Sequence, residues 1–565
     1  MKRLLCGGTV INVFTGETEK ANVLIENETI IGVGDYTPED ADVTEDVSGK
    51  FICPGFIDGH IHIESTMLTP AELARVCVPH GTTGIVADPH EMANVCGVKG
   101  IEYMMEASEG IPMTVYITLP SCVPATALDE SGACLKAEDI KHLYSHPRVV
   151  GLAEMMNYPG VIFDDKDVWK KIEDAKKARK IVDGHAPFLS GRELDKYVSA
   201  GISSDHECSD INEAKEKLRK GQRIMIRQGT AARNLDDLIS LFDPPYSTRC
   251  MLVTDDRHPA DLVSEGHIDN IIRLAVAKGK SPITAIQMAT IRTAEHFNLR
   301  FVGAVAPGYR ADILVLSDLD TVEVEDVYTY GNKVVSGKEI ISFDTPKISD
   351  ELEKTVRNSF HVRELCKEDF YIEPKGDKCR VIEIIPGQLI TKEKICDINW
   401  DENNGIDTQR DILKLAVIER HKNTDHRGLG FINGIGMKKG AIASSVSHDS
   451  HNIIVIGTND EDMVVAANHI RSFGGNVVVA DGQVVEYMAL PIGGLMTDLP
   501  AEKIALDNER VRNAVYDFGV PKEIEPFMNM AFVSLPVIPS LKMTTRGLAD
   551  VDKQEWVSLC KEERE

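Results

Sequence analysis

Phe56-Ile57-Asp58-Gly59-His60-Ile61-His62-Ile63-Glu64 closes an apolar run that begins at Phe51. Side chains alternate along a strand with period two, so His60 and His62 share a face and point one way. Imidazole is the commonest metal-ligating side chain, and two from one strand make half a tetrahedral or five-coordinate site without ordering any loop. An isolated His-x-His is equally a pair of hydrogen-bonded polar residues at a strand end. The residues downstream change that balance.

Outward from this strand, the pattern alternates strand with helix to about residue 300. Thr69-Pro70-Ala71-Glu72 combines an N-cap, a proline at the first helical position and a glutamate placed for a capping box, and predicts a helix that stops near Gly81. Apolar runs of strand length follow at 83–88, 113–119, 149–154, 181–185, 201–206, 223–228 and 251–255, making eight with the opening strand. Segments 166–180, 191–200 and 210–219 carry apolar residues at three- and four-residue intervals, as amphipathic helices do. This succession predicts a closed (β/α)8 barrel of the α/β class. An open doubly wound sheet is the competing arrangement.

The polar residues favour the barrel. His60 and His62 end the first strand, His90 and Glu91 follow the second, and Glu154, His185, His206 and Asp255 end the fourth, fifth, sixth and eighth. A barrel brings all these ends to one rim, where barrel enzymes place their active sites. Any one of them is explained as a satisfied structural group. Histidines and carboxylates repeated at strand after strand point instead to a site.

The length of 565 residues calls for two or three domains. Hydrophobic and charged shares of 43% and 27% are those of a soluble globular protein. A formal charge of −27 argues against a nucleic-acid or anionic membrane surface and favours a small or neutral substrate. No apolar run is long enough to span a bilayer, and the first residues lack the apolar core of a secretory signal, so the cytoplasm is the expected compartment. The twelve cysteines include no Cys-x-x-Cys pair, which suits buried thiols better than disulfides or a structural zinc site.

The flanks read differently. Residues 1–57 and 301–345 are rich in short strands and turns, the second beginning around Pro307-Gly308, and are expected to form one small β-sandwich around a barrel of residues 58–300. Residues 346–565 open with a charged segment and continue as a C-terminal α/β domain. Within it, the glycine-rich stretch 428–436 lacks the spacing of a phosphate-binding fingerprint and reads as turns.

Pro54-Gly55-Phe56-Ile57-Asp58-Gly59-His60-Ile61-His62, the later lone histidines, Thr254-Asp255-Asp256 and Pro307-Gly308-Tyr309-Arg310-Ala311-Asp312 together resemble the amidohydrolase superfamily of metal-dependent barrel hydrolases. Ala87-Asp88-Pro89-His90-Glu91, Gly151-Leu152-Ala153-Glu154-Met155-Met156-Asn157, Asp183-Gly184-His185-Ala186-Pro187 and Ser204-Asp205-His206-Glu207 are similar to the adenine deaminase family of bacteria and archaea. Ser447-His448-Asp449-Ser450-His451-Asn452 and Leu490-Pro491-Ile492-Gly493-Gly494 are similar to that family's C-terminal domain, so the likeness spans nearly the whole chain. Glu154 departs from many superfamily members, in which a carboxylated lysine bridges two metals.

The resemblance implies hydrolytic deamination: hydroxide generated at a metal attacks C6 of adenine, giving hypoxanthine and ammonia. His60, His62, His185 and His206 are then nitrogen ligands and Asp255 an oxygen ligand, with Glu154 as a ready-made bridging carboxylate. Such ligands accept Mn2+, Fe2+ or Zn2+. The family implies a binuclear centre with manganese or iron favoured. Asp255 is also the candidate proton carrier, and Glu91, Glu154 and Glu207 are candidate acids for the ring nitrogen. His90, Ser121, Arg227 and Gln228 are candidate substrate contacts, and His448, Asp449 and His451 a candidate contribution from the tail. Adenine and water are the expected partners, and a homodimer the expected assembly. A cyclic amide hydrolase of the hydantoinase or dihydropyrimidinase type and a non-catalytic scaffold on the same barrel are the alternatives. The first normally uses the bridging lysine, absent here, and the second should have lost a ligand.

Overall fold

A computed structural model describes residues 1–230, 232–401 and 403–561. The chain folds into two compact units: one built from residues 1–89, 104–121 and 136–347, the other from 90–103, 122–135 and the residues from 348 onward. Segments 90–103 and 122–135 follow two of the barrel strands in sequence, yet they group with the second unit. The sequence reading placed both within the barrel.

The first unit is organised on eight parallel strands: β1 (Phe56–Ile61), β2 (Thr82–Ala87), β3 (Thr114–Leu119), β4 (Val149–Met155), β5 (Ile181–Gly184), β6 (Ser204–Asp205), β7 (Arg223–Arg227) and β8 (Cys250–Val253). β1 to β4 and β8 are buried at every residue, as expected of parallel strands covered on both faces. β1 to β5 pair in chain order, as do β6 to β8. Two seams close the ring. Ser203 N–H donates to the Val182 carbonyl at 2.9 Å, and Asp255 N–H donates to the His60 carbonyl, also at 2.9 Å.

Several strands stop earlier than their apolar runs. β5, β6 and β8 end before His185, His206 and Asp255, leaving those residues just beyond the ladder. Asp255 has φ +59°, a left-handed backbone that is costly for a non-glycine residue, yet it still bridges Ile61 across the seam. A Cβ at Gly184 would lie 2.3 Å from the Ser204 carbonyl oxygen, so only glycine lets the ends of β5 and β6 approach this closely.

The helix predicted after Thr69 runs Pro70–Cys77 and continues as a 3-10 turn to His80, ending at Gly81 with φ +85°. Its proline start is as expected, but the capping box does not form. The Thr69 side chain makes no cap hydrogen bond, and Glu72 accepts from Arg75 Nε at 3.0 Å instead. The two flanks form the β-sandwich core. Strand Phe51–Pro54 pairs antiparallel with Ile313–Asp318, and Leu5, Val10, Val23 and Ile52 pack with Ile313, Val315 and Tyr328.

The second unit holds an eight-stranded sheet covered by helix Asp460–Phe473, whose Met463, Ala466, Ala467 and Ile470 are buried against Ala443, Val455 and Val477. Most of the glycine-rich stretch is a strand, Arg427–Asn433, and the chain turns only at its end, where Gly434 and Gly436 have φ +98° and +81°. Its glycines serve close packing: a Cβ at Gly428 would sit 1.9 Å from the Thr544 carbonyl oxygen. Gly428→Ala should therefore destabilise the protein by about 1–3 kcal/mol, read as a lower denaturant midpoint. An unchanged midpoint would show that strand Leu541–Thr544 yields freely.

Cys379 and Cys560 are disulfide-bonded, against the all-thiol reading, while the other ten cysteines are free. They face each other across an antiparallel bridge 181 residues apart in sequence, which no local spacing reveals. No helix among the described residues is long and apolar enough to cross a membrane.

Candidate metal centre

The ends of β1, β4, β5, β6 and β8 bring His60, His62, Glu154, His185, His206 and Asp255 into one cluster, nearly all of it buried. Asp255 Oδ1 lies 3.5 Å from His60 Nε2 and 3.2 Å from His62 Nε2. Glu154 Oε1 lies 3.4 Å from His62 Nε2, while its Oε2 lies 2.7 Å from His185 Nδ1 and 3.1 Å from His206 Nε2. Glu154 thus spans the histidines of β1 on one side and those beyond β5 and β6 on the other. The rings of His60 and His206 stack at 4.4 Å.

The donor set fits a divalent cation. His62 Nδ1 lies 3.1 Å from the Asp88 carbonyl oxygen, which can only accept, so Nδ1 carries the proton and Nε2 presents its lone pair to the cluster. His60 Nε2 is buried there with no hydrogen-bond partner. Imidazoles alternating with carboxylates, spaced about a coordination sphere apart, are what a Zn2+, Fe2+ or Mn2+ site requires.

Electrostatics reinforce this. Burial opposes the charged form of Glu154, but the neighbouring His185 and His206 hold its carboxyl well below the usual range. Burial likewise opposes charge on Asp255, where Arg227, then His60 and His62, hold it well below normal. His185 is pushed up to about 9: burial pulls it down, and Glu207 and Glu154 outweigh that. The carboxylates are therefore ionised and the pocket favours positive charge.

Asp58, on β1, fixes the first and last strands together. Its Oδ1 accepts the N–H groups of His60 at 3.1 Å and Thr254 at 3.2 Å, and its Oδ2 lies 3.1 Å from His267 Nε2. The sequence reading passed over Asp58 and His267. The aspartate's place two residues before His60 was the available signal.

Arg227 stands at the centre. Its Nη1 donates to Asp255 Oδ2 and to Glu207 Oε1, and Glu207 Oε1 is also 3.4 Å from His206 Nε2. Gln228 is the next residue, buried just past the end of β7. The Ser121 hydroxyl donates to the Glu154 carbonyl, bracing the end of β4.

His90, Glu91, His448, Asp449 and His451 gather with one another in the second unit. Glu91 lies 3.4 Å from His451 Nε2 and 3.7 Å from His448 Nδ1, and Asp449 Oδ1 lies 3.9 Å from both His448 Nδ1 and His90 Nε2. Glu91, His448 and His451 have the spacing of metal ligands. The tautomer argues otherwise. Ser447 N–H donates to His451 Nδ1 at 3.3 Å, so the neutral ring carries its proton on Nε2, facing Glu91. Burial, then the charges of His448 and Arg420, hold His451 neutral. His451 Nε2 is nonetheless buried with no hydrogen-bond partner.

Residues 51–335 match the amidohydrolase family and residues 388–555 the adenine deaminase C-terminal domain. The chain is 45% identical to adenine deaminase of Desulfatibacillum aliphaticivorans over 558 residues, covering 98% of this chain and 96% of that protein. It is also 45% identical to adenine deaminase 2 of Carboxydothermus hydrogenoformans, covering 97% and 95%. Among solved structures, dihydropyrimidinase from Brevibacillus agri aligns with a TM-score of 0.48 at 17% identity, covering 60% of this chain and 96% of that one.

Proposed function

The chain belongs to the amidohydrolase family and, over nearly its whole length, to the adenine deaminases, and from that premise we propose that its metal centre hydrolyses adenine at C6 to hypoxanthine and ammonia. The observation that carries this reading is Glu154, whose two oxygens face opposite histidine sets. Two divalent ions per chain, manganese or iron favoured, would be held by His60, His62, Glu154, His185, His206 and Asp255. Ions so held supply the charge that acidifies a water molecule and polarises the ring at C6.

The chain's own residues do the rest. Asp255 is the proton carrier: Oδ1 faces the β1 histidines, and Oδ2, held by Arg227, keeps a second lone pair for the proton lost by water and handed to the leaving amine. Arg227 orients that carboxylate and keeps it ionised. Of the first unit's two candidate acids, Glu154 is engaged by the histidines. Burial opposes charge on Glu207, yet Arg227, then His185 and His206, hold it below the usual range, so either acid must take up a proton before it can give one.

The test begins with metal analysis of the purified chain, followed by ultraviolet absorbance with adenine, adenosine, cytosine and hydantoin. Adenine turnover should vanish with a chelator and return with Mn2+ or Fe2+. Turnover of hydantoin but not adenine would favour a cyclic amide hydrolase, and neither metal nor turnover would favour a scaffold.

A further inference from the structure

His185 and His206 sit beyond the last ladder residues of β5 and β6, and β6 is only two residues long. Strand pairing does little to fix the distance between these two rings, yet Glu154 Oε2 reaches both, and His185 Nδ1 lies 3.3 Å from His206 Nε2. Something else must hold the two segments.

Behind them lies Lys217, on helix Ile211–Arg219. Lysines on the outer helices of a barrel ordinarily extend to solvent, but Lys217 is 0% exposed. Its three protons are used. Nζ donates to the Ala186 carbonyl at 2.7 Å and to Glu213 Oε1 at 2.7 Å, and lies 3.1 Å from Asp205 Oδ2. Asp205 is also 0% exposed. Its Oδ2 accepts Ala186 N–H at 3.0 Å and its Oδ1 accepts Glu207 N–H at 2.8 Å.

Ala186 directly follows His185, and Asp205 and Glu207 flank His206. One ammonium and one carboxylate therefore grip both backbone groups of the residue after the first histidine and both neighbours of the second. A buried ion pair is a poor way to gain stability, because apolar residues of similar volume often do as well. What it supplies here is fixed backbone position on both sides of a gap.

We propose that Lys217, acting through Asp205, is a positioning residue that sets the separation of His185 and His206 so that their ring nitrogens meet one cation. This rests on the metal-centre reading above. Groups behind first-layer ligands typically tune metal affinity about 10- to 100-fold.

The experiment loads the full-length protein with Co2+ and records its visible absorption spectrum and the rate at which Co2+ passes to a chelator. Lys217→Met keeps volume and removes charge, and Asp205→Asn is the second variant should the first fold poorly. Lys414→Met is the comparison: Lys414 is another 0% exposed lysine, paired with Asp460 in the second unit. Lys217→Met and Asp205→Asn should each alter the spectrum and release Co2+ about 10- to 100-fold faster, and the double variant should be little worse than either alone. Lys414→Met should lower stability and leave spectrum and release rate at parent values. A parent-like spectrum and release rate in both single variants would overturn the proposal. So would equal changes in Lys414→Met, or additive effects in the double variant. A parent chain that binds no Co2+ would overturn the metal-centre reading itself, and this proposal with it.

Discussion

Glu154→Gln should cost the enzyme its metal and its adenine turnover together, with metal affinity and kcat/KM each falling by at least about 100-fold. The substitution preserves shape, so the loss isolates charge and lone pairs. Glu154 is, among the described residues, the carboxylate that reaches His62 with one oxygen and His185 and His206 with the other. An amide replaces one of those acceptors with N–H donors aimed at lone pairs. Metal content by elemental analysis and initial rates on adenine check this. Near-parent turnover at full metal content would remove Glu154 from the centre.

Asp255→Asn should reduce kcat by about 10²- to 10⁴-fold, the usual contribution of a positioned proton carrier, with a much smaller change in KM. The amide oxygen can still face His60 and His62, but an amide cannot take a proton from water at neutral pH. Arg227 would then face Glu207 and a neutral group in place of two carboxylates. Rates and metal content measured on the same preparation separate the two effects. A rate within a few-fold of the parent at equal metal content would reject the proton-carrying role.

The barrel was legible because its strands are buried on both faces and so read as unbroken apolar runs, while its ligands fall at the ends of those runs. His60 and His62 could be read from alternation alone. Glu154, His185, His206 and Asp255 could be read as a set, because a closed barrel sends every strand end to one rim. The left-handed turn at Asp255 could not, since nothing in Thr254-Asp255-Asp256 demands it. Arg227 is a candidate substrate contact from its place at the end of the seventh strand, and its bonds to Asp255 and Glu207, which come from other strands, are not written in that spacing. Lys217 was hidden for the opposite reason. Glu213 and Lys217 are four residues apart on a charged helix, the usual signature of a solvated face. The grouping of His90 and Glu91 with residues more than three hundred positions later is a long-range fact that sequence spacing does not encode.

The most direct measurement is anomalous diffraction at a metal absorption edge from crystals of Mn2+-loaded protein, with adenine turnover measured on the same batch. The account predicts two peaks at coordination distance, about 2.0–2.3 Å, from His60, His62, Glu154, His185, His206 and Asp255, with Glu154 touching both. A batch that deaminates adenine at full rate while showing no peak among these six side chains would contradict it.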